Sequence, residues 1–165
     1  MIVREAQDQD SAAIRQVVTA AFEQEEEADL IDALHAQADP LISLVAEDNE
    51  IVGHILFTPM TFPGHEELKL MGLAPMAVVP GRQKQGIGGA LIAAGLERCR
   101  AMNMDGVVVL GHPEYYPRFG FEPSVNFGFR SVYDVPDNVF MAQELTEGAL
   151  QGLNGKIKYH PAFGE

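Results

Sequence analysis

LKLMGLAPMAVVPGRQKQGIGGALIAAGLERCRAMNMDGVVVL, residues 68–110, is the stretch that decides the fold. Residues 68–80 are β-prone and end at Pro80-Gly81, so they read as a strand. Pro75 interrupts it, and because proline has no amide hydrogen to give to a ladder, a bulge is expected there. From Gln85 the period changes. Ile87, Leu91, Ile92, Leu96 and Cys99 fall on one helical face, which predicts a helix to about Met102, ended by Asn103 and Gly106. Val107 to Leu110 then reads as a buried strand. Strand, glycine-rich turn, helix and strand form a crossover unit whose two strands should be parallel.

Upstream, Ile14, Val17, Val18, Ala21 and Phe22 lie on one helical stripe, with Asp8, Asp10 and Ser11 placed to cap its free amides. Five acids in the seven residues from Glu23 to Asp29 follow. Leu30, Ile31 and Leu34 then recur at helical spacing before Asp39-Pro40, so this region reads as two short helices or one broken helix. Leu41 to Ala46 and Ile51 to Phe57 flank the polar break Glu47 to Glu50 and predict an antiparallel hairpin. Beyond Phe121, the segments around Phe127, Phe129, Val139 to Leu145 and Ile157 to Tyr159 read as short strands joined by turns. The fold class expected is mixed α/β, a central and mostly antiparallel sheet flanked by helices, in one domain over residues 1–165.

The chain has 165 residues, 47% of them apolar, enough to bury a core without disulfide or metal staples. Eleven Lys and Arg against 24 Asp and Glu give a net charge of -13, which argues against a surface built to hold nucleic-acid phosphates or anionic lipid. No apolar run approaches the roughly 20 residues that span a bilayer. A lone cysteine, Cys99, and no leader pattern at the start place the expectation in the cytoplasm. Cys99 lies in the apolar helical stripe and reads as packing. The five histidines show no metal-ligand spacing, so no metal is expected.

The turn Gln83-Lys84-Gln85-Gly86-Ile87-Gly88-Gly89 sits where a strand becomes a helix. Glycines there let backbone amides approach an anion that a Cβ would hold off. It lacks the Lys-Ser/Thr ending of a P-loop, and Leu91 stands where a dinucleotide motif needs its third glycine. Taken by itself, the turn reads equally as close packing of helix on strand. Arg82 and Lys84 either add positive charge for a phosphate-bearing ligand or are ordinary solvated residues.

Residues 73–120 resemble the GNAT superfamily of N-acetyltransferases. The motif Q/R-x-x-G-x-G/A corresponds to Gln83-x-x-Gly86-x-Gly88, and Tyr115-Tyr116-Pro117-Arg118-Phe119-Gly120-Phe121 is similar to the family's tyrosine segment. The short link Gly111-His112-Pro113-Glu114 makes the chain most similar to bacterial acetyltransferases with a shortened tyrosine segment. The resemblance implies that Lys84, Gln85, Gly86, Ile87, Gly88 and Gly89 hold the pyrophosphate of acetyl-coenzyme A beside Gln83. It implies that backbone groups of Met76, Ala77 and Val78, on a strand splayed from its parallel neighbour, align the pantetheine. It also places Tyr116 near the coenzyme sulfur.

Acetyl transfer to an amine needs a neutral nucleophile, a stabilised oxyanion and a proton for the leaving thiolate. Tyr116 is the expected proton donor, since a phenol stays protonated at neutral pH. Tyr115, Phe119 and Phe121 read as core aromatics. Residues 73–80 contain no acid, so His112 leads the candidates for general base, with His54 and Glu114 behind it. His54 should point away from the side taken by Gly53 and Ile55 and reads more readily as structural. The acids from Glu23 to Asp29 are a solvated face or a rim that attracts a cationic acceptor. The expected reaction is attack by a primary amine, of a small molecule or peptide, in a ternary complex. A coenzyme sensor without turnover, or transfer of another acyl chain or to a non-amine acceptor, stays open. Free strand edges near the C-terminus would allow a homodimer.

Overall fold

The computed structural model describes residues 1–164. Its strands are β1 (Ile2–Glu5), β2 (Ile42–Asp48), β3 (Glu50–Pro59), β4 (Leu70–Val78), β5 (Gly106–Leu110), β6 (Glu122–Pro123), β7 (Phe129–Ser131), β8 (Phe140–Glu144) and β9 (Gly155–Ile157). The α-helices are α1 (Ser11–Phe22), α2 (Glu26–Gln37) and α3 (Ile87–Ala101). Seven strands form one sheet in the order β1-β2-β3-β4-β5-β8-β6, and β7 pairs with β9 in a small parallel ribbon. Within the large sheet β4 and β5 are the parallel pair, as the crossover pattern requires.

The expected hairpin is β2–β3. Its tight turn is carried by Asn49 at φ 67°, a left-handed conformation that asparagine tolerates better than most side chains. The acidic stretch divides α1 from α2, with Glu23 at φ 59° closing α1. Asp10 does not cap α1. Its carboxylate accepts from the Gln7 amide at 2.7 Å and from the Arg4 guanidinium at 2.8 Å, so it closes the preceding 3-10 turn instead. β1, which has no distinctive pattern in the sequence, pairs with β2 along one edge.

Alternation along the strands divides the core between two faces. Ile55, Phe57, Met71, Leu73, Val107 and Val109 face α3 with Ile87, Leu91, Ile92 and Leu96. On the opposite face Val45, Leu56 and Ala77 meet α1 and α2 through Ile14, Val18, Ile31 and Leu34. The remainder of that face, including Leu70, Val108 and Phe140, is covered by the C-terminal segment through Phe129, Leu150, Ile157 and Tyr159. Cys99 is fully buried against α3's side of the sheet, and burial pushes its thiol up to about 12, which fits packing.

Two irregularities in β4 shape the centre of the molecule. Its register against β3 jumps from Met76↔Ile55 to Leu73↔Phe57, so Ala74-Pro75 contributes the extra residue of a bulge where Pro75 predicted one. Against β5, pairing is confined to Leu70–Gly72 opposite Gly106–Val108. Beyond Gly72 and Val108 the strands continue, to Val78 and Leu110, each still paired with its outer neighbour but not with the other. The two strands thus enclose a V whose apex is the Gly72–Val108 rung.

Candidate active site

At the mouth of that V lies a cleft of about 780 Å³, a volume in the range of small-molecule sites. Its floor is Met76, Ala77 and Val78 of β4, and one wall is the turn and first residues of α3. The opposite wall is His112, Tyr115, Arg118 and Phe119, with Ala21 and Phe22 of α1 closing the third side.

The turn is shaped by local conformation. Lys84 sits at φ 63° and Gly86 at φ 89°, the latter as the N-cap of α3. A Cβ on Gly86 would meet nothing within 4 Å, so glycine is needed there for its backbone conformation, and the space beside it is open to a ligand. The first closing bond of α3 runs from the Ala90 amide to the Gly86 carbonyl at 3.0 Å. The amides of Ile87, Gly88 and Gly89 therefore precede the helix ladder, and with the helix dipole they favour an anion. Gln83 binds back to β4, its Nε2 donating to the Val78 carbonyl at 3.0 Å. These features fit a bound pyrophosphate.

Two side chains of the turn are engaged within the protein. Gln85 does not line the cleft, and its side chain accepts from Arg82 Nε at 3.1 Å. Arg82 lines the cleft, but its guanidinium is paired with Asp48 at 2.8 Å, across from the β2–β3 turn. Its charge is already compensated, and no local pattern in the sequence links it to Asp48. Among the described residues, Lys84 and Arg118 are the cleft cations without a carboxylate partner. Arg118 sits with its guanidinium 5.7 Å from the Tyr115 ring centroid, a cation–π arrangement. Arg118, Ala21 and Phe22 went unseen in the sequence, since only the fold brings them to the cleft.

The tyrosines reverse their expected packing. Tyr115, read as a core aromatic, lines the cleft, with its hydroxyl 3.2 Å from where a Cβ on Gly88 would stand. Tyr116 lies one layer deeper, only 8% exposed, with its ring against the backbone of Gly111 and edge-on to Phe121. Burial pushes its phenol up to about 12, so it is protonated at neutral pH. Tyr116 opens a 3-10 turn, Tyr116–Phe119, with Tyr115 at its N-cap, and Gln143 of β8 anchors it by donating from Nε2 to the Phe119 carbonyl at 2.9 Å. A Cβ on Gly120 would come within 2.1 Å of that same Nε2, so the turn closes only with glycine there.

Of the candidate bases, His112 lines the cleft and its carbonyl accepts from the Tyr115 amide at 3.1 Å. Glu114 is exposed and lies outside the cleft. His54 is fully buried beneath the helices, its Nε2 2.9 Å from the Ser43 hydroxyl, and burial drives its basicity down to about 3. It is a neutral side chain that does not line the cleft, although its backbone stands opposite Ala77 of the cleft floor. Around the acidic stretch, Arg15 pairs with Glu25, Asp29 and Asp32, Glu23 and Glu26 stay exposed, and Glu27 is half-buried and accepts from Gln24 Nε2 at 2.9 Å. Among the described residues no group of His, Cys, Asp or Glu is arranged to hold a metal ion, and no helix is long and apolar enough to cross a membrane.

Comparison with known proteins agrees with this geometry. The family described as "Acetyltransferase (GNAT) domain" matches residues 2–124. The uncharacterized N-acetyltransferase YjhQ of Escherichia coli is 45% identical over 157 residues, covering 90% of this chain and 86% of that protein. The crystal structure of the Escherichia coli GNAT family N-acetyltransferase YhbS in complex with CoA superposes with a TM-score of 0.92 at 29% identity, over 99% of this chain and 92% of that one. A GNAT family acetyltransferase from Brucella melitensis, in complex with acetyl-CoA, gives 0.81 at 37% identity over 98% and 97% of the two chains. With the splayed parallel strands, the glycine turn and these relatives in agreement, the chain belongs to the GNAT family of N-acetyltransferases.

Proposed function

We propose that this chain transfers the acetyl group of acetyl-coenzyme A to a primary amine by direct attack within a ternary complex. The observation that carries the reading is the continuity of one cleft from the free amides of α3 to the run of β4 unpaired with β5. In this reading the amides of Ile87, Gly88 and Gly89, with Lys84, hold the pyrophosphate. Backbone groups of Met76, Ala77 and Val78 pair with the pantetheine arm, which replaces β5 along the splayed part of β4. The thioester then lies deeper in the V, toward the Gly72–Val108 rung. That the relatives from Escherichia coli and Brucella melitensis carry CoA and acetyl-CoA supports the same donor here.

The amine nitrogen attacks the thioester carbon, forming a C–N bond and a tetrahedral oxyanion. As that adduct collapses, the C–S bond breaks and the sulfur takes a proton from the phenol of Tyr116. The proton lost by nitrogen passes to His112 or water and restores the phenol, so amine and thioester give amide and free thiol. Burial raises the Tyr116 phenol, which weakens it as an acid but keeps it fully protonated until the thiolate forms. The exposed acids Glu23 and Glu26 near α1 favour a cationic acceptor by attraction.

Calorimetric titration of acetyl-coenzyme A into the purified protein tests the donor site, with Gly86→Glu and Lys84→Glu as comparisons. Binding to the parent that is lost in both folded variants is expected. A folded parent that binds no coenzyme overturns the reading and returns the turn to a packing role.

A further inference from the structure

The C-terminal segment brings a second buried phenol to the apex of the V. Tyr159 follows β9 and is 5% exposed. Its ring lies on the backbone of Gly72, where a Cβ would stand 3.0 Å from Tyr159 Cε1. Gly72 is the last residue of β4 that pairs with β5. Tyr159 thus occupies the rung at which the two strands part, on the face covered by the C-terminal segment, with Val108 beside it in the same cluster. Tyr116 stands on the other face, in the cluster of α3. The two phenols approach each other from opposite faces of the sheet, near enough that charge on Tyr116 would raise the Tyr159 phenol further.

The position is held rigidly. Tyr159 stacks on Tyr133 at 5.8 Å and packs against Phe163 at 5.0 Å. Such ring contacts fix the direction of a phenol without engaging its oxygen. Among the described residues, the hydroxyl of Tyr159 has no hydrogen-bond partner, and neither has that of Tyr116. Neither oxygen is among the buried polar atoms closed off without a partner, so both stay open to water or a ligand. The partner is then supplied from outside the chain. Tyr159 lies beyond residues 2–124, the part that matches the family description.

We infer that Tyr159 is a further catalytic residue of the transfer site, whose hydroxyl reaches the acetyl group at the apex from the face opposite α3 and donates a hydrogen bond to its carbonyl oxygen as that becomes an oxyanion. Burial keeps the phenol protonated, as a donor must be. The assignment rests on the proposed acetyl-coenzyme A reading. It divides the reaction between two phenols: Tyr116 protonates sulfur from one face, and Tyr159 steadies oxygen from the other. Removing one such donor typically costs about 10²–10³-fold in turnover.

The test uses the full chain labelled with 3-fluorotyrosine. It contains four tyrosines, so four fluorine resonances are assigned by single Tyr→Phe variants. Coenzyme A and acetyl-coenzyme A are then compared as ligands. The expected result is that both move the Tyr115 resonance, while the Tyr159 resonance differs between the two ligands because only one brings an acetyl carbonyl. In parallel, thiol release from acetyl-coenzyme A, with water or a primary amine as nucleophile, is expected to fall about a hundredfold in Tyr159→Phe. Calorimetric affinity for the coenzyme should stay within twofold. A Tyr159 resonance identical with the two ligands, or unchanged thiol release in Tyr159→Phe, overturns the inference while leaving coenzyme binding intact. If no resonance moves and no heat is detected, the donor reading itself fails.

Discussion

The hydroxyl of Tyr115 stands 3.2 Å from the point where a Cβ on Gly88 would be, with Met76 Cε at 3.5 Å from the same point. The helix N-terminus and the tyrosine turn therefore touch across the cleft at a residue with no side chain. An alanine there would gain helix propensity, worth up to about 1 kcal/mol, but must displace the tip of Tyr115 and the end of Met76. Both are movable side chains at the ligand's path. Gly88→Ala is expected to keep or raise the melting temperature while weakening acetyl-coenzyme A several-fold by calorimetry. Equal affinity in the two proteins would show that Tyr115 does not border the bound coenzyme.

The two adjacent tyrosines make a sharp kinetic contrast. On the proposed mechanism Tyr116→Phe removes the proton for the leaving thiolate without altering the cleft lining, so kcat should fall by roughly 10²-fold or more while the KM for acetyl-coenzyme A holds. Tyr115→Phe loses an oxygen beside α3, remote from the apex, and should change kcat little. Steady-state kinetics on both variants decides the matter. A large loss in kcat for Tyr115→Phe alone would move the acid to that residue.

The crossover from β4 through α3 to β5 was readable because hydrophobic period changes from 2 to 3.6 within a single stretch, and glycine marks the change. The splay was readable only through resemblance, since Met76, Ala77 and Val78 would look the same in a fully paired strand. The phase of the tyrosine turn was not readable at all. In a 3-10 turn neighbouring side chains point about 120° apart, so which of Tyr115 and Tyr116 faces the cleft depends on where the turn is anchored. That anchor is Gln143, remote in sequence from the residues it holds. The pairing of Arg82 with Asp48 and the placing of Tyr159 on Gly72 are likewise long-range, and no periodicity records them.

A packing prediction follows from α3's close approach to the sheet. A Cβ on Gly95 would fall 2.1 Å from Phe57 Cε1 and 2.4 Å from Cζ, and Phe57 is fully buried. No rotation of an enclosed ring clears both contacts, so the helix must lift from β3. Gly95→Ala should therefore be destabilising by about 1–3 kcal/mol despite its better helix propensity. At this chain length each kcal/mol lowers the melting temperature by roughly 2–4 °C. A thermal melt equal to or above the parent's would mean that the helix–sheet gap relaxes without cost.

His54 gives the molecule a titration in the acid range. Its Nε2 is engaged by Ser43, which also contacts His35 Nε2 at 3.0 Å, and its Nδ1 is buried without a partner. Burial lowers it from 6.5 to about 3 in the folded protein, whereas the unfolded chain protonates it near 6.5. Below that value the unfolded state binds the extra proton, so stability must fall as pH drops, by up to about 1.4 kcal/mol per unit for one such group. His35, also lowered by burial, adds in the same direction. Asp10, held down by Arg4, loses its stabilising effect only at lower pH, below the ordinary carboxylate range. Denaturant unfolding between pH 7 and pH 5.5 therefore reads chiefly the histidines, above the range where carboxylates such as Glu66 begin to protonate in the unfolded chain. The parent should lose stability steadily over that interval, and His54→Gln, which keeps a partner for Ser43 but cannot titrate, should show a distinctly flatter profile. Parallel slopes for the two proteins would show that His54 takes up its proton in the folded state as readily as in the unfolded one.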